Sequence, residues 1–61
     1  MMQFLELELL LPLEVWRRDP AGACRQALAP HGDPLRWAVT AAHGRPDGQQ
    51  WLRLEAVLLI P

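Results

Sequence analysis

Two runs of strict alternation near the C-terminal end leave this chain few folds to choose from. Between Leu35 and Ala42, Leu35, Trp37, Val39 and Ala41 fall on one side, and Arg36, Ala38, Thr40 and Ala42 on the other. Between Trp51 and Ile60, Leu52, Leu54, Ala56, Leu58 and Ile60 alternate with Trp51, Arg53, Glu55, Val57 and Leu59. Successive side chains leave a pleated backbone on opposite faces, so this period marks half-buried strands. The sequence therefore predicts a hairpin with strands near Leu35–His43 and Gln50–Ile60.

The residues between the strands are turn formers. Pro46 presets φ for the second position of a turn, and Asp47-Gly48 supplies tolerance of positive φ. A loop of Arg45–Gly48 would pair Gly44 with Gln49, Val39 with Leu54 and Trp37 with Ala56. That register sets Thr40 across from Arg53 and Ala38 across from Glu55. Arg36 then lies diagonal to Glu55, within reach of a weak cross-strand ion pair. A slip by one residue would put Leu54 opposite Thr40 and mix the faces, so burial specifies the register.

Upstream, Met2–Leu11 reads as a third strand, with Leu5, Leu7, Leu9 and Leu11 on one face and Phe4, Glu6, Glu8 and Leu10 on the other. The leucine stripe is a core face, and the glutamates face water or pair with Arg36 and Arg53. Pro12 ends the strand, since it has no N–H for a central ladder, and can open a helical turn. Leu13–Arg18 is thus a candidate short helix, with Leu13 and Trp16 on one side. Asp19-Pro20 is an N-cap followed by a first-turn proline, predicting a helix over about Pro20–Ala29 with Ala21, Cys24 and Leu28 inward. Gly22 is expected to weaken it by up to ~1 kcal/mol relative to alanine. Pro30 stops the helix, and His31-Gly32-Asp33-Pro34 turns the chain into the hairpin.

The expected fold class is α+β: a β-α-β-β order, a three-stranded mixed sheet, and one short helix on one face. The strand Trp51–Ile60 is the most continuously apolar and belongs in the centre. One sheet face would then remain open, carrying Phe4, Leu10, Val57, Leu59 and Trp51 around a charged middle. Free strand edges are a second association surface.

At 61 residues the chain is one small domain, 1–61. A chain this short buries about 60% of its unfolded surface and is marginal without a staple. Its one cysteine forms no internal disulfide, and no Cys/His spacing suits zinc. With 51% apolar residues, association is the expected remedy. The partners expected are another copy of the chain, in a homo-oligomer, or a larger protein.

Several functions are disfavoured on chemistry. A net charge of −1 does not make the basic patch that nucleic acid requires. Arg17-Arg18 is a basic pair that nothing extends. No Gly-rich phosphate loop, nucleophile elbow or Ser/His/Asp set is present, and Thr40 is the sole hydroxyl residue. Catalytic residues and cofactors are therefore expected to be none. Cys24 reads as a small buried hydrophobe, and His31 and His43 as loop histidines beside turns. The alternative is an enzyme using Cys24 or His43. A metal shared by His31, His43 and Asp33 would need both loops at one end of the sheet, so no metal is expected. The apolar start carries Glu6 and Glu8 without a basic flank, and no segment approaches the ~18 apolar residues of a membrane span. A cytoplasmic location without membrane contact is the default.

Around Pro34-Leu-Arg-Trp-Ala-Val-Thr40, and again at Leu54-Glu-Ala-Val57, the chain resembles a group of small uncharacterised cyanobacterial proteins. These share an apolar first strand, a short helix and a Pro-Leu-Arg-Trp-Ala strand. The resemblance covers about the last half of the chain and implies a compact α/β fold with no activity attached.

Tryptophan and arginine are enriched at interface hot spots. The candidate interface is accordingly Trp51, Arg53, Arg36, Phe4 and Leu59 on the open face. The function expected is a non-enzymatic module that self-associates or docks on a larger protein. The alternative is a small-ligand-binding or regulatory subunit with a pocket between protomers.

Overall fold

A computed structural model describes Met1–Pro61. The elements are β1 (Met2–Pro12), α1 (Leu13–Arg18), α2 (Pro20–Leu28), a 3-10 turn (Ala29–His31), β2 (Asp33–Gly44) and β3 (Gln49–Leu59). They form a three-stranded sheet in the order β1-β3-β2, with the helices against one face. β3 holds the centre because it lacks proline and presents Leu52, Leu54, Ala56 and Leu58 to the helices, all nearly or wholly buried. Cys24 and Leu28 of α2 complete that core, flanked by Leu5, Leu7, Leu9, Trp16 and Trp37.

Two parts of the expected topology need correction. The sheet is not mixed: β1 and β2 run the same way, but β3 lies between them and is antiparallel to each. The helical layer is two helices and a 3-10 turn rather than one helix, with the candidate over Leu13–Arg18 formed as α1. Asp19 divides α1 from α2 with an extended backbone, φ −157°, because the ring of Pro20 disfavours helical geometry in the residue before it.

At each helix start one first-turn N–H finds a partner outside the helix. The Leu13 N–H, which has no partner inside α1, donates to the Gly48 carbonyl at 3.0 Å and ties the helix to the hairpin turn. At α2 the Asp19 carboxylate accepts from the Gly22 N–H at 3.0 Å. Gly22 proves to be part of this cap and not a weakness. A Cβ there would run into the Asp19 carboxylate. Gly22→Ala should therefore fail to give the gain of up to ~1 kcal/mol that helix propensity alone would grant, and should lower the melting temperature by displacing the cap.

The hairpin follows the expected register only in its middle. Trp37 pairs with Ala56, Ala38 with Glu55 and Val39 with Leu54, but the register shifts between Val39 and Ala41 and again between Pro34 and Arg36. The first shift originates in the turn. Arg45 donates to the Gln49 carbonyl at 2.8 Å and accepts from the Gly48 N–H at 3.2 Å, so the loop closes on Pro46, Asp47 and Gly48. Gly48 carries the required positive φ of 83°. This loop is one residue shorter than expected, and β2 absorbs the surplus as a bulge at Thr40. Gly44 consequently pairs with Gln50, and Ala41 rather than Thr40 stands opposite Arg53. Ala42, not Ala41, shares the helix-side face with Leu52. The Thr40 hydroxyl donates to the Arg53 carbonyl at 3.4 Å.

The two sheet edges differ. β2 carries both register shifts and Pro34, which interrupt any regular row of free backbone groups. β1 pairs with β3 without interruption from Met2–Leu59 to Pro12–Gln49, and its outer edge is unbroken. Only seven of 61 residues are buried, so this core is at the lower limit for a free-standing monomer.

Candidate interaction surface

The face of the sheet away from the helices is built from three short rows. From β3 come Trp51, Arg53, Glu55, Val57 and Leu59; opposite them on β1 stand Leu10, Glu8, Glu6, Phe4 and Met2. On β2, His43 pairs with Trp51, Ala38 with Glu55 and Arg36 with Val57. Directly opposed residues in an antiparallel sheet share a face. The five predicted residues Trp51, Arg53, Arg36, Phe4 and Leu59 thus all lie on this one surface.

At the turn end, the imidazole of His43 stacks on Trp51 with ring centroids 4.6 Å apart and an interplanar angle of 23°. The Arg53 guanidinium carbon lies 5.6 Å from the Trp51 ring centroid, a cation–π arrangement. At the far end Met2, Phe4 and Leu59 are exposed beside half-buried Val57. Phe4, Arg36, Ala38, Glu55 and Val57 line a shallow open groove between the two ends.

The charged middle is not paired internally. Glu6 stands directly opposite Glu55, and Glu8 opposite Arg53, yet the one side-chain ion pair in the chain is Arg45–Asp47 at 3.1 Å in the turn. The pairings of Glu6 and Glu8 with Arg36 and Arg53, and of Arg36 with Glu55, are not formed. Exposed ion pairs gain only ~0–1 kcal/mol and cost side-chain freedom, and Arg53 lies over an aromatic ring instead. Nothing local in the sequence announced the Glu6–Glu55 opposition. The His43–Trp51 stack could have been found from a turn one residue tighter.

In the turn, desolvation pushes the Asp47 carboxyl up, but the hydrogen bonds and charge of Arg45 and the Gln49 N–H outweigh it and hold the carboxyl below its usual range.

The family described as a domain of unknown function (DUF8621) matches residues 3–60. The chain belongs to this family. Comparison of this DUF8621 chain with curated proteins and with solved structures finds no match.

The remaining candidate groups of the DUF8621 chain are dispersed. Cys24 is fully buried against Leu28 and the β3 leucines, and burial pushes its thiol pKa up, away from the reactive thiolate. His31 lies just before β2, whereas His43 lies near the opposite end of that strand. No group of three or more His, Cys, Asp and Glu side chains is placed to hold a metal ion. No helix is long and apolar enough to cross a membrane.

Proposed function

We propose that this chain is a non-enzymatic, cytoplasmic interaction module that self-associates through the open face of its sheet. The observation that carries the reading is the row of exposed apolar side chains at both ends of that face, with Phe4 59% and Leu10 52% exposed. A core of six buried hydrophobic residues supports the same reading, because burial at an interface adds stability that the monomer lacks. Trp51 and Arg53 are of the residue types that anchor interfaces. The molecule is 39 Å long; three strands at about 4.8 Å spacing give the face an outline of roughly 600 Å². Side-chain relief raises the accessible area toward the ~800 Å² per partner of a standard interface.

Light scattering on a size-exclusion column should return a multiple of the chain mass that falls on dilution. Phe4→Asp and Trp51→Ala should each shift assembly toward the monomer by on the order of tenfold or more in dissociation constant. Two variants that fold and assemble like the parent would remove this surface from consideration. A cyanobacterial source, implied by the resemblance around Pro34–Thr40, makes cyanobacterial extract the first place to look for a different partner.

A further inference from the structure

We infer that two copies of this chain pack open face to open face about a two-fold axis running across the strands, so that Arg53 of each meets the partner's Glu55; this rests on the self-association proposed above. Two operators bring the faces of aligned sheets together. An axis along the strands would lay each residue of the central β3 near its own copy, with Arg53 against the partner's Arg53 and Glu55 against the partner's Glu55. Like charges would then meet at the driest part of the contact, where they cost most. An axis across the strands reverses β3 over itself and places Arg53 on the partner's Glu55, twice.

The pattern of the face fits that second operator along its whole length. Leu54 is the midpoint of β3, Leu7 is the midpoint of β1, and the two are register partners. An axis through this row superposes both strands end to end with no overhang, which gives the largest contact the face allows. It carries Trp51 onto the partner's Val57 and Leu10 onto the partner's Phe4, so each apolar end covers the other. On the β2 rim it brings Arg36 toward the partner's His43.

The isolated chain leaves the matching need open. Glu55 faces Glu6 across the ladder with no cation at ion-pair distance. The partner's Arg53 would arrive over that carboxylate pair, and the cation–π contact with Trp51 holds the guanidinium at the surface to do so. One juxtaposition opposes the arrangement: Glu8 meets the partner's Glu6. Both lie on β1, an edge strand, where water at the rim screens them.

Charge swapping tests this geometry. Arg53→Glu and Glu55→Arg should each weaken the dimer on the order of a hundredfold, since each sets like charges against each other twice. The double variant R53E/E55R, and an equimolar mixture of the two single variants, should both recover the two-chain mass, because each restores opposite charges at both contacts. Glu8→Gln should tighten the dimer. Circular dichroism and thermal melts establish that each variant is folded, and recovery in the mixture excludes misfolding as the cause of the loss. Single variants as dimeric as the parent, or a double variant and mixture that stay monomeric, would overturn the axis while leaving self-association intact. A parent chain that is monomeric at every concentration would overturn self-association itself.

Discussion

Leu54→Ala is expected to cost about 3 kcal/mol, most of the stability that a chain of this size commands. Leu54 is 0% exposed in the central strand, packed with Cys24, Leu28, Ala56 and Leu58, with Leu7 and Val39 beside it in the ladder. Removing its side chain loses the transfer energy of the deleted atoms and leaves a cavity that strands held on both sides cannot close. Urea denaturation followed by tryptophan fluorescence, at one fixed protein concentration, reads the change. Val39→Ala is the control: it shares the ladder row and the face but is 37% exposed, so its cost should stay near ~1 kcal/mol or below. Equal costs for the two would mean that the helices do not cover the sheet at Leu54.

Gly32→Ala should be nearly as damaging, for a different reason. Gly32 has φ 153° and ψ −175°, a region that essentially only glycine occupies. A Cβ there would lie 3.1 Å from the Leu59 carbonyl oxygen and 3.3 Å from side-chain atoms of Leu58 and Ile60. Backbone strain and crowding against the end of β3 combine, and a loss of about 2–3 kcal/mol is expected. Two other glycines separate these causes. Gly48 has φ 83° but open space where a Cβ would stand, so Gly48→Ala should show the conformational cost alone, about 1 kcal/mol. Gly44 has neither a positive φ nor a close neighbour, and Gly44→Ala should fall within about 0.5 kcal/mol of the parent. Thermal melts of the three variants should rank them in that order, and a Gly32 variant as stable as the Gly44 variant would refute the close approach.

The strands were legible wherever the two faces differ in chemistry. Leu52, Leu54, Ala56 and Leu58 against Arg53 and Glu55 leave one orientation for β3, and the leucines of β1 do the same. The bulge at Thr40 was hidden because Ala38, Ala41 and Ala42 are accepted on either face, so alternation in that stretch carries no burial signal. The cap at Gly22 was hidden for another reason: propensity describes a helix interior, whereas this glycine answers to the carboxylate of Asp19 three residues earlier. The open face was readable from Phe4, Trp51 and Arg53. Its Glu6–Glu55 opposition was not, because no tight turn joins β1 to β3, and the helices, β2 and the hairpin turn intervene between them.

The unequal edges of the sheet bear on how far assembly can proceed. A subunit with two receptive edges can be extended at both and grows into a filament; a subunit with one can only be terminated. Bulges and Pro34 disable the β2 side, while β1 stays regular over its full length. Strand-to-strand joining of this protein is therefore favoured at β1 alone, a valence of one that would stop at the pair.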